Sequence, residues 1–418
     1  MKKILILLFI FISITVYAKG NIMFSKSVYL KVPKVYDCPE VPILKEKSWG
    51  YDGILKKPEE READKSNNYV KSIMYESVPY KGKPTRVFAY IGIPPTPKGE
   101  KVPAMVLIHG GGGTAFEAWV RLWNARGYAA IAMDTCGCYP IGEYSNWRPH
   151  PWSCQSTWGD FKNVDAPYTD QWTYQAVMSV LLGTSLLASY PEVDENRLGI
   201  TGISWGGFLT SIVSSVDDRF VYANPIYGCG NLNVGSVWTT DAPDHETFNV
   251  ITEAQKDKWL SLWDPMHYLP LRTKPIHWVV SNIDFAYWPL CVKASYENCE
   301  NYAYLHIKEN LAHDHGQNGE SQDETYMLAE QYLKGREKLA KVESKFKNGT
   351  ISFTTDKEIK SAVLFWTEDK VPNSTSKWNK IIIDLTQKST LVPQEAQVFY
   401  VNVFDENNLT SSSRIYCK

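Results

Sequence analysis

The chain has no surplus of charge. Forty-four Lys and Arg stand against 46 Asp and Glu, a formal net charge of −2 over 418 residues. That excludes the basic footprint of a nucleic-acid binder. Beyond residue 18 no apolar run reaches the ~18 residues of a membrane helix, so no membrane span is expected. Cysteines are few and scattered: Cys38, Cys136, Cys138, Cys154, Cys229, Cys291, Cys299 and Cys417. They form no repeated zinc-type pairs, and Cys136-Gly137-Cys138 is too tight for one, so no metal is expected. Only 22% of residues are charged, and 26 Gly and 23 Pro are ordinary usage, which excludes disordered, collagen-like and coiled-coil chains. The one excess is aromatic, with 15 Trp and 25 Tyr. Such rings serve cores and binding sites alike.

The first 18 residues differ in kind. Lys2 and Lys3 precede an apolar run from Ile4 to Val16, closed by Val16-Tyr17-Ala18. This is the order of a secretory signal peptide, and it predicts an exported protein, periplasmic or secreted. Export permits disulfides, and one or two bridges are expected, with pairing not legible. Residues 19–75 read as an N-terminal extension. From 76 to 340 strands and helices alternate. Strands are expected at 86–93, 102–109, 128–133, 197–201, 222–226, 276–281 and 304–307; helices at 115–126, 171–190, 208–215 and 324–339. That pattern predicts an α/β fold, a mainly parallel sheet with helices on both faces. Residues 345–418 carry only short strands with polar turns, and a small all-β sandwich is expected there. All the chemistry described below precedes residue 316, so the α/β part is expected to stand without the sandwich.

The informative segment is Gly202-Ile-Ser204-Trp-Gly206-Gly207, a G-x-S-x-G directly after a short apolar strand and before a helix. In that setting the serine sits on a sharp turn with its hydroxyl exposed, and the N–H of Trp205 is free for an oxyanion. Val106-Leu-Ile-His109 runs into four glycines, Gly110 to Gly113, and a donor around Gly111 completes the oxyanion hole. No Lys-Ser/Thr follows these glycines, which excludes a phosphate-binding loop. His109 is read as a support of the loop. A nucleophilic serine needs a base and an orienting acid, in chain order Ser, acid, His. Asp284 follows the strand at 276–281, with Asp134 as the alternative acid. His315, in His313-Asp314-His315-Gly316, is the preferred base and His313 the alternative.

These motifs resemble the α/β-hydrolase superfamily, in the group of acetylxylan-esterase-like, dienelactone-hydrolase-like and prolyl-oligopeptidase-like enzymes. Gly-Ile-Ser204-Trp-Gly-Gly, Asp264-Pro265, Asp284 and Asp314-His315-Gly316 carry the resemblance over residues 76–337. It implies an acyl-enzyme mechanism with Ser204, Asp284 and His315 as triad and no organic cofactor. Prolyl oligopeptidases typically carry a large β-propeller ahead of this domain, and the roughly 50 residues between the leader and the first strand are too few for one. The expected activity is that of an exported serine esterase deacylating a carbohydrate or another small ester. The alternative is a peptidase or amidase, with Glu143, Asp160, Asp165 and Asp170 as carboxylates to hold a substrate amine. A third reading is a catalytically dead carbohydrate-binding scaffold. Two aromatic insertions, 137–170 and 228–262, are read equally as sugar platforms or as lid and core packing. The acyl group, the sugar and the oligomeric state are not legible.

Overall fold

In the computed structural model the described residues are 23–38, 69–154, 158, 161–240 and 248–418. The expected leader and Asp160 lie outside them. The first strands are β1 (Val35–Tyr36), β2 (Lys71–Tyr80), β3 (Lys83–Gly92), β4 (Val102–Ile108) and β5 (Ala129–Met133). A separate hairpin of β6 (Cys138–Glu143) and β7 (Asn146–Pro149) follows. The main sheet resumes with β8 (Val193–Ile203), β9 (Phe220–Ile226), β10 (Ile276–Ser281) and β11 (Ala303–Lys308). In space the order is β1-β2-β3-β5-β4-β8-β9-β10-β11. Every pairing from β5 to β11 is parallel, while β1, β2 and β3 add an antiparallel edge.

Successive side chains of a strand face opposite ways, so a strand covered on both faces is apolar throughout. In β4, Val106 and Ile108 join the core under α3 (Trp172–Ala188) and α4 (Trp205–Val216), whereas Met105 and Leu107 join the core under α2 (Glu117–Ala125) and α8 (Asp323–Lys334). (The remaining helices are α1, Lys26–Tyr29; α5, Glu253–Trp263; α6, Pro289–Asn298; and α7, Gln317–Glu320.) The helix expected to reach 339 stops at Lys334, because Gly335 takes a left-handed φ of 66° and caps it. The strands β1 and β2 fall before and at the edge of the expected alternation, and the pattern 71–80 is half-buried and weak.

The C-terminal strands are β12 (Val342–Lys347), β13 (Thr350–Thr355), β14 (Ser361–Thr367), β15 (Asn379–Ile382), β16 (Ser389–Leu391), β17 (Val398–Phe404), β18 (Thr410–Ser412) and β19 (Tyr416–Cys417). The sheet β12-β13-β16 packs over β14 and β17 around Ile351, Phe353, Leu364, Phe399 and Val401, which is the expected sandwich. One of its two sheets is not independent. β18 pairs antiparallel with β11, so the central sheet runs on through β18, β17, β14 and β15. At the seam Ile307 N–H donates to Ser412 Oγ (2.7 Å) and Asn402 Nδ2 donates to Ile307 O (2.8 Å). A boundary near 340 therefore marks a change of packing within a continuous sheet.

All eight cysteines are free. The expected bridges are not formed; Cys229 and Cys291 lie Sγ to Sγ at 3.5 Å, a thiol contact and not the ~2.05 Å of a bond. Among the described residues no helix is long and apolar enough to cross a membrane, and no group of three His, Cys, Asp or Glu is arranged to hold a metal.

Candidate active site

Ser204 stands between β8 and α4 with φ 57° and ψ −118°, a conformation costly for any residue with a Cβ. The surroundings enforce it. Ser204 N–H donates to Ile226 O at 2.9 Å, tying the elbow to β9. A Cβ on Gly202 would fall 2.3 Å from Gly206 O, and one on Gly206 would fall 2.0 Å from Ile108 O, so both flanking glycines are demanded by close backbone packing. The N–H of Trp205 opens the helix and has no intrahelical acceptor. Together with the helix dipole it places positive potential beside the hydroxyl.

The glycine loop after β4 is clamped from two sides. His109 is buried, and its Nε2 accepts Thr135 N–H at 3.0 Å, so Nδ1 carries the proton and donates to Gly110 O at 2.8 Å. Burial lowers its pKa, consistent with a neutral brace. Gly110 O also accepts Gly113 N–H at 3.1 Å. In a trans peptide the N–H points opposite the carbonyl, so Gly111 N–H is turned away from both donors. From outside, Tyr144 Oη donates to Gly111 O (2.6 Å) and Trp147 Nε1 to Gly112 O (2.8 Å). Tyr144 lies in the β6–β7 turn and Trp147 in β7, so the first aromatic insertion holds the loop. Trp158 covers Gly111, where a Cβ would sit 2.9 Å from the indole.

The structure brings Asp284 to His313 and not to His315. Asp284 is buried after β10, and its Oδ1 accepts Ala286 N–H (2.8 Å) and Tyr287 N–H (2.7 Å). Its Oδ2 accepts from His313 Nδ1 at 2.8 Å. His313 is stacked on Tyr227 at 4.3 Å, one residue beyond the Ile226 carbonyl that binds Ser204 N–H. His315 has a different partner: its Nε2 accepts Gly110 N–H at 2.8 Å. Both His315 Nε2 and Ser204 Cβ lie 3.0 Å from where a Cβ on Gly110 would be. Burial, with His313 beside it, drives the His315 pKa down to about 3, so the ring is a neutral acceptor. The reason for the difference lies in the loop: Asp314 O accepts from Tyr227 Oη, which fixes the intervening peptide and turns the two imidazoles to different partners.

Asp134, the alternative acid, serves elsewhere. It accepts Cys136 N–H (2.9 Å) and Cys138 N–H (2.8 Å) and lies 3.9 Å from His109. Of the carboxylates considered for an amine pocket, Asp165 pairs with Lys258 (2.9 Å), and Asp170 accepts Lys81 N–H (2.8 Å). Trp238, Trp259 and Phe161 from the two insertions gather around the buried Trp205 as core, with no face left for a sugar. Trp378 Nε1 of the C-terminal region donates to Asn282 O at 3.0 Å, two residues before Asp284. That contact, the His315–Gly110 latch and the Tyr227 stack were not read from sequence. None has a local motif, because each joins segments far apart in the chain.

A serine on a strand–helix elbow, at the C-terminal edge of a parallel sheet with helices on both faces, defines a serine-type hydrolase of the α/β-hydrolase fold. Comparison with known proteins narrows the class. Residues 55–331 match the model of the acetyl xylan esterase (AXE1) family, and the chain belongs to that family. It is similar to an acetyl xylan esterase from Paenibacillus sp. R4, at 17% identity over 74% of this chain and 100% of that one, with a TM-score of 0.51. It is also similar to the Pyrococcus horikoshii acylaminoacyl peptidase, at 17% identity over 66% of this chain and 44% of that one, with a TM-score of 0.49. At 17% identity the likeness to the first of these establishes the fold alone. A curated relative, the uncharacterized peptidase YuxL of Bacillus subtilis (strain 168), is 28% identical over 181 residues, 40% of this chain. The chain covers 23% of that relative's length.

Proposed function

We propose that the protein is an exported esterase that removes an acyl group, acetyl in the first instance, from a carbohydrate. The observation that carries the triad is the Asp284–His313 hydrogen bond. In this reading Ser204 Oγ attacks the ester carbonyl and its proton passes to His313. Asp284, fixed by two backbone N–H groups, holds the imidazole with Nδ1 protonated and steadies the cation that forms. The tetrahedral oxyanion is received by Trp205 N–H and Gly111 N–H; one such donor is worth about 100–1,000-fold in rate. His313 returns the proton to the leaving alcohol, and water repeats the sequence on the acyl-enzyme. His315 keeps Gly110, and with it the oxyanion loop, in register. Family membership supports the acetyl-sugar substrate, and the leader supports export.

The test compares acetylated xylan and 4-nitrophenyl acetate with aminoacyl-naphthylamides, using full-length protein. Acetate release with no amine release is the expected result. Efficient amide cleavage without ester preference would replace this reading with the peptidase one.

A further inference from the structure

A second concave site lies at the other end of the same strands. The triad elements follow the C-terminal ends of β8, β10 and β11, whereas a cavity of about 770 Å³ opens at the N-terminal ends of β10 and β11, against the C-terminal sandwich. β10 has six residues, so the two sites are separated by about 20 Å of strand. The volume is within the ~300–1,000 Å³ of ligand pockets.

Its lining has a definite chemistry. Three cations, Lys338, Lys341 and Arg414, are matched by three anions, Glu300, Glu343 and Asp356. Arg414 pairs with Glu300 (2.7 Å) and Lys341 with Glu343 (2.8 Å), so the groove offers no net field to a phosphate or a polyanion. Tyr304 lies flat on His277, with ring centroids 4.4 Å apart and planes 7° apart, leaving the opposite face for the groove it lines.

The wall below is fixed by a directed chain of hydrogen bonds. Thr410 O can only accept, so His306 Nδ1 donates to it (2.7 Å), and His306 Nε2 must then accept from His277 Nδ1 (3.0 Å). His277 Nε2 in turn accepts from Tyr332 Oη (2.9 Å). Having given its proton inward, Tyr332 presents only lone pairs outward, a fixed acceptor for a hydroxyl. Gln331 Oε1 is taken by Leu339 N–H at 3.1 Å, which leaves its amide N–H groups as fixed donors. One flat aromatic face, neutral overall charge and preset acceptors and donors are what a neutral polyhydroxylated ring requires.

We propose that this groove binds a neutral oligosaccharide segment of the polymer on which the enzyme acts, anchoring the chain away from the reacting ester. The proposal rests on the carbohydrate reading above, and its test separates the two. Xylohexaose binding to the full-length Ser204→Ala protein is measured by calorimetry, with an oligogalacturonate of the same length as the charged control. Saturable binding of xylohexaose, with the control at least about tenfold weaker, is expected. Tyr304→Ala in that background should weaken binding about tenfold or more. Asn301→Trp, which places a bulky ring at an exposed position on the groove lining, should do the same without touching the His277 stack. With Ser204 intact, both substitutions should leave kcat/KM on 4-nitrophenyl acetate within about twofold and lower the rate on acetylated polymer. Binding unchanged by both substitutions, or equal binding of the charged control, overturns the groove. An enzyme that binds xylohexaose in the groove yet releases no acetate would overturn the esterase reading alone.

Discussion

The parallel and antiparallel halves of the sheet meet along β11 and β18, and they treat their polar groups differently. At the C-terminal ends of the parallel strands the backbone is strained at Ser204, and His315 Nδ1 and Asp314 Oδ1 are buried without a hydrogen-bond partner. Glu320, in contact range of His315 at 3.9 Å, is buried beside Asp314. At the seam, each polar atom in the run from Tyr332 through His277 and His306 to Thr410 is matched. The strained backbone at Ser204 marks the first region, and the directed chain of hydrogen bonds marks the second, although Glu324 Oε2 beside the seam is also buried without a partner. The C-terminal half thus acts as a brace for the reactive edge, and Trp378 reaches as far as the acid loop.

Cutting the chain is the strongest way to break that comparison. Truncation after Ala340 would bare the edge of β11, strip His306 and Ile307 O of their partners Thr410 and Asn402, and expose the part of the main core that Phe365 and Tyr400 cover. We expect the truncated chain to be insoluble or to lose cooperative thermal unfolding, with hydrolysis of small esters lost. A soluble, cooperatively folding and fully active truncation would show that the seam is dispensable and that the α/β part stands alone. The sequence pattern favoured that independence, because a single-residue strand pairing between 305 and 412 has no signature along the chain.

The next effect is chemical. Ser204→Ala should abolish labelling by a serine-directed phosphonate and lower kcat by about 10⁴–10⁶-fold, with the melting temperature held or raised. Unchanged labelling would move the nucleophile elsewhere. His313→Ala should cost about as much. His315→Ala removes the Gly110 latch and should cost about 10–100-fold, less than the outright loss of an oxyanion donor, because the donor is displaced and not removed. The opposite ranking would return the base to His315. Tyr144→Phe frees one carbonyl of the glycine loop, and a several-fold drop in kcat with little change in KM is expected.

Much of this was legible early, for a physical reason. Strands covered on both faces must be apolar runs, so β4, β5, β9 and β10 announce themselves, and the G-x-S-x-G turn is local. The choice between His313 and His315 was not legible. Two imidazoles one residue apart have the same neighbours in sequence, and what separates them is Tyr227, 86 positions upstream of His313, holding the peptide between them. The aromatic insertions read equally as platform or packing because indoles suit both; burial around Trp205 decides for packing at Phe161, Trp238 and Trp259, while Tyr144, Trp152 and Tyr168 stay exposed.

The smallest effect concerns protons at the strained edge. Burial, with Asp314 beside it, raises the Glu320 carboxyl from 4.5 to about 8. The folded chain therefore keeps a proton that the unfolded chain releases between those values. Where the native state binds more protons, stability falls as pH rises, so this contribution declines from about pH 4.5 and is fully lost above about 8. His315 works in the other direction. Its pKa is held at about 3, so below the ordinary 6.5 the unfolded chain takes a proton that the native ring refuses, and stability falls as pH drops through that range. Glu320→Gln removes the first slope and leaves the second. The melting temperature of the variant should fall less than that of the wild type between pH 6.5 and 8.5, while both decline together below pH 5. Parallel curves across the alkaline range would mean that Glu320 is already ionised in the native state, and that its burial at this edge does not hold a proton on the carboxyl.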